Sequence, residues 1–74
     1  MNKKELLSRL NKEQRNQLID LVNAETDPKL NGGHYLSPLE WKREVNNALS
    51  KVLGEITNVS ANTLNSIMDV IDPS

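Results

Sequence analysis

Apolar residues recur along the chain in four separate stripes, each at helical spacing. Leu6, Leu7 and Leu10 form a short first stripe, and Leu18, Leu21 and Val22, with Ile19 beside them, form a second. Residues three and four apart share one side of an α-helix, so these stripes predict helices over about 3–10 and 12–25. The third stripe is the longest. Trp41, Val45, Ala48, Leu49, Val52 and Ile56 fall, at 100° per residue, within roughly 60° of one direction. That spacing predicts a helix over 38–57 with one broad buried face, Trp41 being a core tryptophan by default. Leu64, Ile67, Met68 and Ile71 mark a fourth helix over 61–71, from whose stripe Val70 points away.

The residues between the stripes supply the stops and starts. Asn11 can accept from the Gln14 amide while the Gln14 side chain returns to the Asn11 amide, a reciprocal cap that favours a break there over one helix from 3 to 25. Pro28 and the pair Gly32-Gly33 predict a long loop over 26–37. Ser37, Pro38 and Glu40 form the strongest start signal: an N-cap, a proline suited to the first helical position, and the acid that completes a capping box. Leu36 before that cap can pack on Trp41. Asn58 suits a helix end and Ser60 a new cap, with Val59 and Leu64 as the accompanying hydrophobic staple. Lys51 and Glu55 are spaced as an outward i,i+4 pair. The expected architecture is one all-α domain over 1–74, a small bundle of three to four helices.

Composition narrows the function more than the fold. A chain of 74 residues without cysteine has no disulfide or thiolate metal site, and its small core leaves little room for a deep substrate pocket. No apolar run approaches the ~20 residues that span a bilayer, and no apolar signal core opens the chain, so a cytoplasmic location is expected. The net charge of −1 is unevenly spread. Residues 1–15 carry a balance of +3, with Lys3 and Lys4 at the start, and the remainder carries −4.

Catalytic chemistry finds little support. His34 is the only imidazole, which removes histidine pairs and multi-histidine metal sites within one chain. Gly32-Gly33 stands in neither of the glycine-rich phosphate motifs. Asp27, Asn31 and Gly32 match part of a calcium loop, but Lys29 and Pro38 occupy positions that need oxygen ligands. No enzyme activity, catalytic residue, cofactor, metal or small-molecule substrate is expected.

Two binding readings remain. Residues 50–69 resemble the helix-turn-helix motif of DNA-binding proteins: Leu53 as the first buried position, Gly54 as the small residue, Asn58 in the turn, and Val59, Leu64 and Ile67 as further apolar positions. The resemblance implies a small transcriptional regulator with Ser60, Asn62, Asn65 and Ser66 toward the major groove and Lys3 and Lys4 serving phosphate. Against it, Thr57 stands where the motif is normally apolar, and the proposed reading helix carries no Lys or Arg. The preferred expectation is a non-enzymatic protein–protein interaction module or regulator, binding another protein or itself as a homodimer. Its partner-binding candidates are His34, Tyr35, Trp41 and Val70. The apolar stripe beside Lys3, Lys4 and Arg9 has no aromatic anchor, so no membrane partner is expected.

Overall fold

The computed structural model of the chain describes residues 1–27, 33 and 35–72. Four helices follow one another, α1 (Lys3–Arg9), α2 (Lys12–Thr26), α3 (Pro38–Leu53) and α4 (Ala61–Ile71), and no strand occurs among the described residues. The expected bundle of helices is therefore the observed one. α2 packs mainly on α3, α1 packs on α4, and α4 also touches α2 and α3. The core collects Leu6, Leu10, Leu18, Val22, Val45, Ala48, Leu49, Val59, Leu64 and Ile67 from every helix and from the segment before α4. Among the described residues no helix is long and apolar enough to cross a membrane.

The first two helices are separate because local side chains close the gap between them. Asn11 Oδ1 accepts from the Gln14 N–H at 2.8 Å, and Gln14 Oε1 accepts from the Asn11 N–H at 3.0 Å. The break also exposes carbonyls at the end of α1. Arg15 takes them: its Nε donates to the Leu10 carbonyl at 2.9 Å and its Nη2 to the Leu7 carbonyl at 2.8 Å. One guanidinium thus satisfies two orphan acceptors that α1 cannot satisfy itself.

α3 begins as its signals predict. Ser37 Oγ accepts from the Glu40 N–H at 3.3 Å, and the Glu40 carboxylate accepts from the Ser37 N–H at 3.2 Å. Hydrogen bonding from Ser37 to the Glu40 carboxyl, from the side chain first and the backbone N–H second, holds that carboxyl below its ordinary pKa.

The end of α3 differs from the sequence expectation. The helix stops at Leu53, not at Thr57, because Gly54 adopts a left-handed conformation (φ +74°) as its C-cap. Its N–H still reaches the Ser50 carbonyl at 2.8 Å, closing the last turn. Glycine takes this conformation without the penalty that a Cβ imposes. The apolar seam is real but one turn shorter than its spacing suggests. Val45, Ala48 and Leu49 are buried, Trp41 and Val52 pack partly against the core, and Ile56 is 97% exposed. The Lys51–Glu55 pair does not form either. Lys51 Nζ lies 3.8 Å from the Glu25 carboxylate on α2, and Glu55 pairs with Arg9 at the end of α1.

Candidate functional site

Residues 54–60 connect α3 to α4, and a single buried amide holds them in place. Asn46 Nδ2 donates to the carbonyls of Lys42 and Val59, both at 3.0 Å. Its Oδ1 accepts from the Val59 N–H at 2.7 Å and from the Thr57 hydroxyl at 3.1 Å. Two donors and two acceptor sites are the whole capacity of an Asn side chain, and all are used. Ser50 adds a second tie: its hydroxyl donates to the Asn46 carbonyl at 2.8 Å and accepts from the Thr57 N–H at 3.0 Å. Thr57 is buried with its hydroxyl satisfied, which explains a polar residue at that position.

This clamp shapes one side of α3 into a groove of about 370 Å³, lined by Leu39, Lys42, Arg43, Asn46, Asn47, Thr57 and Asn58. The α3 residues among them are three, four or one apart, which places them on one flank of the helix. Glu40 and Glu44 lie further round the helix, so the groove wall carries two cations and no carboxylate. Arg43 Nε is 3.6 Å from the Glu44 carboxylate. Leu39 is 76% exposed at the edge of the groove. Below it, the amide of Asn46 is already saturated, so Asn47 and Asn58, both exposed, are the groove's accessible amides.

A second groove of about 310 Å³ is lined by Leu36, Pro38, Trp41, Ala61 and Asn65. It brings together two of the residues singled out from the sequence, Trp41 and Asn65, which came from different hypotheses. Trp41 is half-buried, packed on the core with part of its ring facing this groove. Tyr35 is 86% exposed just before α3, and Val70 is 45% exposed near the far end of α4, roughly 13 Å along the axis from Ala61. The partner-binding candidates are therefore not one patch. His34 lies outside the described residues.

The DNA-reading candidates are distributed as follows. Asn62 and Asn65 are exposed on the first two turns of α4, and Ser66 is half-buried. Ser60 is the N-cap of α4, its hydroxyl accepting from the Thr63 N–H at 3.3 Å and bonded to the Thr63 hydroxyl at 3.0 Å. Lys3 and Lys4 are exposed on the first turn of α1. Of the other N-terminal cations, Arg15 is spent on capping α1 and Arg9 on Glu55.

Leu39, Lys42, Arg43, Asn46 and Asn47 were not singled out from the sequence as a site. The signal was present in part: Leu39 is an apolar residue standing off the long seam, among polar residues at helical spacing. Comparison with protein-family models, with curated proteins and with solved structures gives no match. Among the described residues no group of three or more His, Cys, Asp or Glu is placed to hold a metal ion.

Proposed function

We propose that the chain is a non-enzymatic interaction module that binds a protein through the flank of α3. The observation that supports this most is Leu39, an exposed large apolar side chain at the rim of a groove whose charged residues are Lys42 and Arg43. An apolar anchor beside cations suits a partner segment that offers an apolar side chain with carboxylates around it. Ile56 and Tyr35 add further exposed apolar surface near the two ends of α3. Photo-crosslinking tests the reading: a photoreactive residue replaces Leu39, with a control at exposed Asp20 on α2. Position 39 is expected to give a discrete protein adduct in the native host, lost in K42E/R43E. Equal labelling from both positions, or an adduct indifferent to the charge reversal, would overturn it.

A DNA-binding reading has one observation in its favour, the exposure of Asn62 and Asn65 on the opening turns of α4, where asparagine can read adenine. The seven-residue connection 54–60 is longer than the three- or four-residue turn of the motif it resembles. α4 carries no cation, and two N-terminal arginines are engaged within the fold. Interaction with protein is therefore the better-supported function. Mixed-sequence duplex DNA separates the two: binding at low salt that weakens as salt rises and fails in N62A/N65A would favour DNA. Absence of binding at low salt would remove that reading.

A further inference from the structure

The apolar stripe of α3 does not end where the helix does. At 100° per residue, Trp41, Val45, Leu49, Val52, Ile56, Val59, Thr63, Ile67 and Val70 all fall within roughly 40° of the direction of Val45, and no other residue between 41 and 70 does. All of these but Thr63 are apolar, so one face runs through α3, the connection 54–60 and α4 as though they were a single helix. The folded chain interrupts that face. Ile56, which lies on it, is 97% exposed, and Val70 is 45% exposed. No proline stands between Pro38 and Pro73, and the one glycine in that span is Gly54, whose left-handed turn ends α3. Two local features hold the bend: Gly54, and the Asn46 clamp on Thr57 and Val59.

We infer that the chain has a second state, a domain-swapped dimer in which 38–71 is one continuous helix and α4 of each copy packs on α1, α2 and α3 of the other. In a continuous helix the amides of 54–60 bond to carbonyls four residues back, so they need neither the turn at Gly54 nor the side chain of Asn46. Such a helix of 34 residues is roughly 51 Å long, against 35 Å for the longest dimension of the folded chain. The straightened α4 therefore cannot return to its own α1 and needs that of a second copy. The contacts that bury Leu64 and Ile67 are remade between chains, so the core survives the exchange. Each straightened segment crosses from one lobe of the dimer to the other, with Ile56 between Val52 and Val59 on the common face, and Ile56 leaves water there. What the dimer gives up is the hold of Asn46 on Thr57 and Val59, which is the latch that keeps a single chain bent. The inference does not depend on the α3 groove, although straightening removes Thr57 and Asn58 from the wall of that groove.

The experiment is sedimentation of the full chain after refolding from urea at high concentration, with Gly54→Ala and Asn46→Ala beside the wild type. Gly54→Ala favours the straight helix twice, by penalising the left-handed turn and by placing a better helix former inside the rod. It is expected to tighten dimerisation by about a thousandfold over the wild type. Asn46→Ala is expected to act in the same direction, since only the bent state uses the amide to hold Thr57 and Val59. Either variant serves where the other fails to fold. Two readouts separate a swap from side-by-side association. The dimer should show more helix by far-ultraviolet dichroism than the monomer, through residues 54–60. In a dimer of one isotope-labelled and one unlabelled chain, contacts between α1 and α4 should be found between chains. Variants no more dimeric than the wild type, variants that lose structure without dimerising, or a dimer whose α1–α4 contacts stay within one chain would overturn the inference.

Discussion

The chain breaks its helices in two places, and the two junctions are built on opposite plans. Between α1 and α2 the capping hydrogen bonds are all local: Asn11 with Gln14, and Arg15 with the carbonyls of Leu7 and Leu10. Between α3 and α4 the decisive contacts span eleven to thirteen residues, from Asn46 on α3 to Thr57 and Val59. The hydrogen bonds of the first junction are exposed or half-buried, and they close a seven-residue helix. The second buries an amide and a hydroxyl and shapes the groove on which the function is proposed. A local cap needs only the right residues a few positions apart. A buried clamp needs the tertiary fold first, and then makes one conformation of the connection far cheaper than the others.

Substitutions should separate the two plans by size. Asn46→Ala has the largest expected effect. It leaves the N–H and the carbonyl of buried Val59 without their side-chain partner, and should cost about 3 kcal/mol of unfolding free energy in urea titration. Gly54→Ala comes next. A Cβ added there meets nothing within 4 Å, so the cost is purely conformational, about 1.5 kcal/mol for an L-residue held at φ +74°. Asn11→Ala removes one exposed cap and should cost about 1 kcal/mol by the same measurement. A result in which Asn11→Ala costs as much as Asn46→Ala would erase the distinction between the junctions.

The smallest effect expected is on acid stability, through the Arg9–Glu55 ion pair that links them. Arg9 at the end of α1 holds the Glu55 carboxyl below its ordinary pKa, by hydrogen bonding first and by charge second. A depressed folded-state pKa contributes stability above the unfolded value, about 4.3, and that contribution is lost as pH falls through the folded one. Glu40, held down by Ser37, acts in the same direction. Urea midpoints should therefore fall slightly below about pH 4.3, and Glu55→Gln should flatten part of that slope. An unchanged slope would place Arg9 and Glu55 among the surface pairs that contribute nothing measurable.

The same contrast explains how much could be read from the chain. The starts of α2, α3 and α4 were legible because Asn11, Ser37 and Ser60 cap amides three residues away, and each pattern is visible in a short window. The core was legible because its stripes hold to helical spacing. The end of α3 was not, since Ile56 continues the seam numerically after Gly54 has turned the backbone away. Glycine near the end of a periodic run was a usable signal, outweighed by the apolar residue beyond it. Val70 was legible as an apolar residue off its stripe, whereas Tyr35, a residue suited to anchoring the loop, is exposed, and neither lines the α3 groove. The groove was not, because its floor depends on Asn46, and no sequence pattern announces that an asparagine will be buried and fully bonded thirteen residues from its partner.

Native-state hydrogen exchange at the Val59 amide tests the clamp most directly. That N–H is buried and bonded to Asn46 Oδ1 at 2.7 Å, although it lies in no helix. The account predicts exchange only through global unfolding, as slow as the slowest core amides of α3, and far slower than the exposed, locally capped amide of Gln14. A Val59 amide that exchanges as fast as that of Gln14 would contradict it.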